Sequence, residues 1–146
     1  MRYVIFIFFL FLFVTTTPVF SGRNTFVLVI DAGHGGLDPG ALGKSAKEKD
    51  INLAVAKLVG EKIQKEHRDV DIVYTRDYDV YISLKQRTDI ANKVHADLFI
   101  SIHSNASTKS SVTGAEVYIL GIDRKKENLD VVQRENNVIY KEENYE

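Results

Sequence analysis

The chain has 146 residues, enough for one modest domain, with a formal net charge of −1 and no cysteine. So even a balance offers no basic surplus for nucleic acid, and no nucleic-acid partner is expected. Without cysteine, disulfides, thiolate metal sites, thiol catalysis and a lipid-modified N-terminal Cys are all excluded.

In chain order, Arg2 precedes an unbroken apolar run from Tyr3 to Val14, followed by small, polar and turn-forming residues. A transmembrane helix needs ~20 apolar residues, so this shorter run reads as the h-region of a secretory signal peptide. Val19 and Ser21 suit cleavage near Ser21–Gly22. Residues 1–21 are therefore expected to be a signal peptide. The remainder is expected to be exported to the periplasm or cell envelope, with no permanent membrane span.

Next, the β-branched run Phe26–Ile30 predicts a buried strand that feeds Asp31 and a glycine-rich loop from Gly33 to Gly43. Helical spacing follows over about Lys47–Glu66, with Ile51, Ala54, Val55, Leu58, Val59 and Ile63 expected inward. Asp71–Thr75 reads as a strand. Ser83–His95 reads as a helix opened by a Ser83/Gln86 capping box, with Leu84, Ala91 and Val94 inward. Asp97–His103 and Gly114–Leu120 read as further strands, and a final helix is expected over Glu127–Tyr145. Strands alternating with helices predict an α/β layered domain, its sheet largely parallel or mixed and flanked by helices. Ligands of such sheets bind beyond the carboxyl ends of the strands, where His34 and His103 both fall.

Two chemistries compete for the loop. Gly43-Lys44-Ser45 matches the end of a phosphate-binding G-x-x-x-x-G-K-[ST] motif, but the glycine required at its start is Asp38, a carboxylate where phosphate would lie. Zinc is the stronger reading. Its hydrolytic sites combine histidines and a carboxylate with one open position. His34 lies in a tight glycine turn, His103 ends a strand of the same sheet, and Glu48 opens the first long helix. Each has a plainer alternative: Ser45–Glu48 has capping-box spacing, His103 suits a core, and His34 suits a turn. Convergence of all three on one predicted edge favours metal. His67 and His95 fall at charged or terminal parts of helices and are expected to be exposed.

The segments "IDAGHGGLDPGALG", "KEKDINLAVAKLV", "VYTRDYDVYISLKQRTDIAN", "ADLFISIHSNAS" and "GAEVYIL" occur in this order. Together they resemble the zinc-dependent N-acetylmuramoyl-L-alanine amidases of the amidase_3 type, across the chain from about Thr25. Ala32 stands where many members have Pro. The resemblance implies a zinc amidase fold of the phosphorylase/hydrolase-like kind, with zinc ligands at His34, Glu48 and His103. Asn105 would lie on the substrate side, while Arg76 and Arg87 match family positions. The implied partner is peptidoglycan, cleaved between N-acetylmuramic acid and L-alanine. The family's catalytic Glu lies in a segment beyond Glu146, so no catalytic base is expected within the chain; Glu142, Glu143 and Glu146 read as a solvated helical face. Residues 25–146 are accordingly expected to be an amidase catalytic domain that stops before its C-terminal segment. A zinc- or peptidoglycan-binding module without chemistry is the alternative. No regulatory partner is indicated.

Overall fold

The computed structural model describes residues 25–107, 109 and 111–119. The expected signal peptide over residues 1–21 and the final helix over Glu127–Tyr145 lie outside the described residues.

Three strands and two helices alternate: β1 (Phe26–Ala32), α1 (Glu48–Glu66), β2 (Val70–Tyr74), α2 (Leu84–Lys93) and β3 (Leu98–Ile102). The strands form one sheet in the order β2-β1-β3, and both pairings are parallel. The fold is therefore α/β, as expected. β1 is central, and Val27 to Ala32 are buried on both faces, which is why Val27–Ile30 is continuously apolar rather than alternating. Val29 and Ile30 are fully buried, and each such side chain stabilises the fold by about 1.5–3 kcal/mol.

Leu28, Ile30 and Ala32 share one face of the sheet with Ala56 of α1, flanked by Leu53, Val59, Ile63, Ile72, Tyr74, Ile100 and Ile102. The inward stripe of α1 differs from the expected one. Glu48, Asn52, Ala56 and Gly60 are buried at successive four-residue steps, whereas Ile51, Ala54, Val55 and Leu58 are exposed. Close approach explains this choice: a Cβ on Gly60 would collide with the Tyr74 hydroxyl. Small residues let the helix axis lie near the sheet, and larger apolar neighbours are left to the flanks. Only Val59 and Ile63 of the expected set pack against the core.

α2 starts as its sequence predicts. Ser83 Oγ accepts from the Gln86 N–H (3.2 Å) and Gln86 Oε1 accepts from the Ser83 N–H (2.9 Å). On the sheet face opposite the Leu28–Ala32 cluster, Asp31 receives Arg87 from α2. The strand expected over Gly114–Leu120 is not formed within residues 114–119, where Val117 is 86% exposed and Ile119 75%. An alternating β-branched pattern states a preference, but a strand also needs a neighbouring ladder, and these residues pair with none among the described ones.

Candidate metal centre

Parallel register assembles the site. Ala32 of β1 is paired with Ile102 of β3, and the Gly33 N–H extends that ladder to the Ile102 carbonyl at 3.0 Å. Both strands thus end at the same level, so His34 and His103 emerge side by side. Their rings meet edge to face with centroids 4.9 Å apart. The loop between β1 and α1 then folds back on itself through the Gly35–Asp38 and Leu42–Lys47 bridges. Hydrogen bonds from Glu48 N to Ala41 O (2.9 Å) and Lys49 N to Pro39 O (3.2 Å) bring the start of α1 to the same edge.

His34, Glu48 and His103 each offer a ligand atom, and these atoms lie within 4.8 Å of one another. His34 Nε2 is 3.3 Å from Glu48 Oε2, and His103 Nδ1 is 3.2 Å from Glu48 Oε1. Glu48 is buried. Burial alone pushes its carboxyl up, but the adjacent His103 and His34 imidazoles and the hydrogen bond from the Ala41 N–H outweigh it and hold the group far below the usual carboxylate range. The Ser104 N–H also donates to Oε1 at 2.9 Å, and Asn52 Nδ2 at 3.4 Å. The Ser45–Glu48 capping box is not formed. Lys47 is the N-cap, without a side-chain cap, and Ser45 is exposed. Glu48 turns inward instead, because two imidazoles and two backbone amides offer its charge more than the helix end would.

The surroundings fit a divalent metal. Two imidazoles and a carboxylate suit zinc and leave a fourth position open. The backbone is bare where the rings lie. A Cβ on Gly33 would collide with the His103 ring, and one on Gly40 would come within 2.6 Å of His34 Cδ2 and 2.8 Å of Glu48 Oε2.

Beneath the loop, two buried guanidinium groups collect its carbonyls. Arg76 donates to Ala32 O (2.8 Å), Gly33 O (3.0 Å) and Lys49 O (2.8 Å). Arg87 donates to Ala32 O and His34 O, both at 2.9 Å, and pairs with Asp31 Oδ1 at 2.6 Å. Asp31 also accepts from Thr75 Oγ1 (2.6 Å) and Ser101 Oγ (2.7 Å). Burial and the neighbouring Arg87 charge push the Arg76 guanidinium below its ordinary value. Asn52, fully buried one turn beyond Glu48, donates to Gly33 O (3.2 Å) and accepts from Ser104 Oγ (2.8 Å).

Asn105 lies two residues past His103 and is exposed. His67 and His95 are exposed and take no part. Lys44 and Ser45 are exposed in a turn closed by Gly43 N to Ala46 O, while Asp38 is buried inside the loop, which leaves no phosphate cradle. Residue patterns did not single out Asp31, Asn52 or Lys49. The four-residue step from Glu48 to Asn52 was the one available signal.

A family model described as N-acetylmuramoyl-L-alanine amidase, Amidase_3, matches residues 28–145. The chain is 45% identical over 95 residues to the N-acetylmuramoyl-L-alanine amidase AmiA of Escherichia coli, covering 64% of this chain and 32% of that protein. It is 41% identical over 92 residues to the sporulation-specific N-acetylmuramoyl-L-alanine amidase of Bacillus subtilis, covering 63% and 35%. Among solved structures, the catalytic domain of CwlV, an amidase of the same name from Bacillus (Paenibacillus) polymyxa, superposes with a TM-score of 0.56. That match has 42% identity and covers 60% of this chain and 50% of that one. The chain thus spans well under half the length of these curated relatives.

Proposed function

From the premise that the chain belongs to the Amidase_3 family, we propose that it is the metal-binding portion of a zinc-dependent N-acetylmuramoyl-L-alanine amidase. The substrate is peptidoglycan, and the bond cleaved joins the lactyl group of N-acetylmuramic acid to the stem-peptide L-alanine. Residues 25–146 belong to the catalytic domain, and residues 1–21 direct export to the periplasm or cell envelope. No helix among the described residues is long and apolar enough to cross a membrane.

The observation that carries this reading is the convergence of His34, Glu48 and His103 within 4.8 Å at the carboxyl edge of a parallel sheet. These three would hold zinc. Zinc bound there would polarise the scissile carbonyl and provide a nucleophile near neutral pH. Glu48 would neutralise part of the ion's charge. The bare backbone at Gly33 and Gly40 would admit the ion and the muropeptide together, and Asn105 would face the substrate.

Proton transfer to the leaving amine requires a further acid or base. Among the described residues, the carboxylates close to the centre are engaged: Glu48 with both histidines, Asp38 with His34, and Asp31 with Arg87. No described residue is assigned this role; the second reading is a zinc- or peptidoglycan-binding module without turnover.

A chimera separates the two. Residues 25–107 replace the matching stretch of the E. coli AmiA catalytic domain. The amidase reading expects zinc binding and stem-peptide release, with both lost in His34→Ala, Glu48→Ala and His103→Ala. A folded, zinc-loaded chimera that releases nothing would support the binding module instead.

A further inference from the structure

We propose that Asp38 is a positioning residue for His34: its carboxylate fixes which ring nitrogen faces the metal. The inference rests on the metal reading above, but its geometric basis is separate. His34 Nδ1 lies 2.8 Å from Asp38 Oδ2, while Nε2 points the other way, toward Glu48 Oε2. A carboxylate only accepts hydrogen bonds, so Nδ1 carries the proton and Nε2 is left to the metal. A ring flipped by 180° would put carbons in both places, Cδ2 toward Asp38 and Cε1 toward Glu48.

The backbone of His34 is already committed. Its φ is +63°, a left-handed conformation uncommon for a non-glycine residue, and Arg87 holds its carbonyl from below. What stays undetermined is the orientation of the imidazole, and Asp38 supplies that constraint. Asp38 is itself buried and held in place. Its N–H donates to Gly35 O at 3.0 Å, its carbonyl accepts from Gly35 N at 2.9 Å, and its Oδ1 accepts from Gly40 N at 3.3 Å. The loop therefore closes a tight hairpin whose product is a carboxylate aimed at one atom of the ring. His103 is arranged differently: it turns Nδ1, not Nε2, toward Glu48 and packs its ring on Gly33 and His34.

Partners of this kind typically change metal affinity by roughly 10- to 100-fold when removed. The test compares wild type, Asp38→Asn and Asp38→Ala, measuring zinc affinity by chelator competition and the His34 ring protons by nitrogen-15 NMR on the metal-free protein. Asn keeps an acceptor for Nδ1–H, whereas Ala removes it. The expected outcome is a zinc affinity weakened at least roughly tenfold in Asp38→Ala and less in Asp38→Asn. Nδ1 should be protonated in wild type and Asp38→Asn, with faster solvent exchange of that proton in Asp38→Ala.

A folded Asp38→Ala with wild-type zinc affinity would overturn the proposal, as would an unprotonated His34 Nδ1 in the wild type. Should Asp38→Ala fail to fold, Asp38→Asn decides: loss of the Nδ1–H signal on keeping an acceptor would count against the proposal, and its retention with partial zinc loss would support it. Failure of the wild type to bind zinc would refute the metal reading instead, while the NMR result would still judge the Asp38–His34 pairing.

Discussion

Gly40 adopts a φ of +64° and faces both His34 and Glu48 at distances that a methyl group would violate. A substitution there meets two penalties at once, a left-handed backbone and a collision. Gly40→Ala is expected to destabilise the fold by more than about 1 kcal/mol and to weaken zinc binding, as read by urea denaturation and chelator competition. Asp79 pins the other side of the loop, accepting from Lys49 Nζ (2.5 Å) and the Gly36 N–H (2.7 Å). The Lys49 hydrogen bond first, and the Gly36 amide second, hold its carboxyl below the ordinary aspartate value. A lowered folded-state value means a contribution that is fully present above the unfolded pKa, about 3.9. It is lost as pH falls through the lower folded value. Asp79→Asn is therefore expected to lower stability at neutral pH and to flatten part of the acid limb below about pH 4. An unchanged acid limb in that variant would remove Asp79 from the account.

At the scale of elements, the two helices differ in how far their sequences disclose them. The cap of α2 was legible because Ser83 and Gln86 interact locally, three residues apart, and both expected bonds form. Ser83→Ala is expected to cost about 1 kcal/mol in a denaturation experiment. The inward face of α1 was not legible. Its buried stripe is Glu48, Asn52, Ala56 and Gly60, and hydrophobic periodicity selects large apolar residues over small or polar ones. The same limit hid the scaffold beneath the metal loop. Asp31 and Arg87 are 56 positions apart, and Asp31 and Thr75 44, so only the finished sheet brings them together. Once paired they are costly to separate. Arg87→Ala would leave Asp31 buried without its cation and is expected to destabilise the protein by about 3–5 kcal/mol. A loss of less than about 1 kcal/mol would show that Thr75 and Ser101 suffice for Asp31.

For the molecule as a whole, the three candidate ligands come from the ends of three different elements and would tie them at one point. His34 follows β1, Glu48 begins α1, and His103 follows β3. His34 and His103 were legible as neighbours because each ends a buried run, and runs in a parallel sheet end on one edge. Their side-by-side placement came from register, which sequence does not state. Glu48 was legible as a ligand type, but its burial depended on the loop hydrogen bonds that fold the start of α1 back onto that edge. An ion bound by all three would favour the folded over the unfolded chain. At free zinc roughly 1,000 times the dissociation constant, the gain is about 4 kcal/mol. For a domain of this size, that is a rise in Tm of roughly 10 °C or more. The expected result is a melting temperature that climbs with zinc, falls with a chelator, and is indifferent to zinc in Glu48→Ala. A Tm equally zinc-sensitive in Glu48→Ala would mean that the ion binds somewhere other than this junction of β1, α1 and β3.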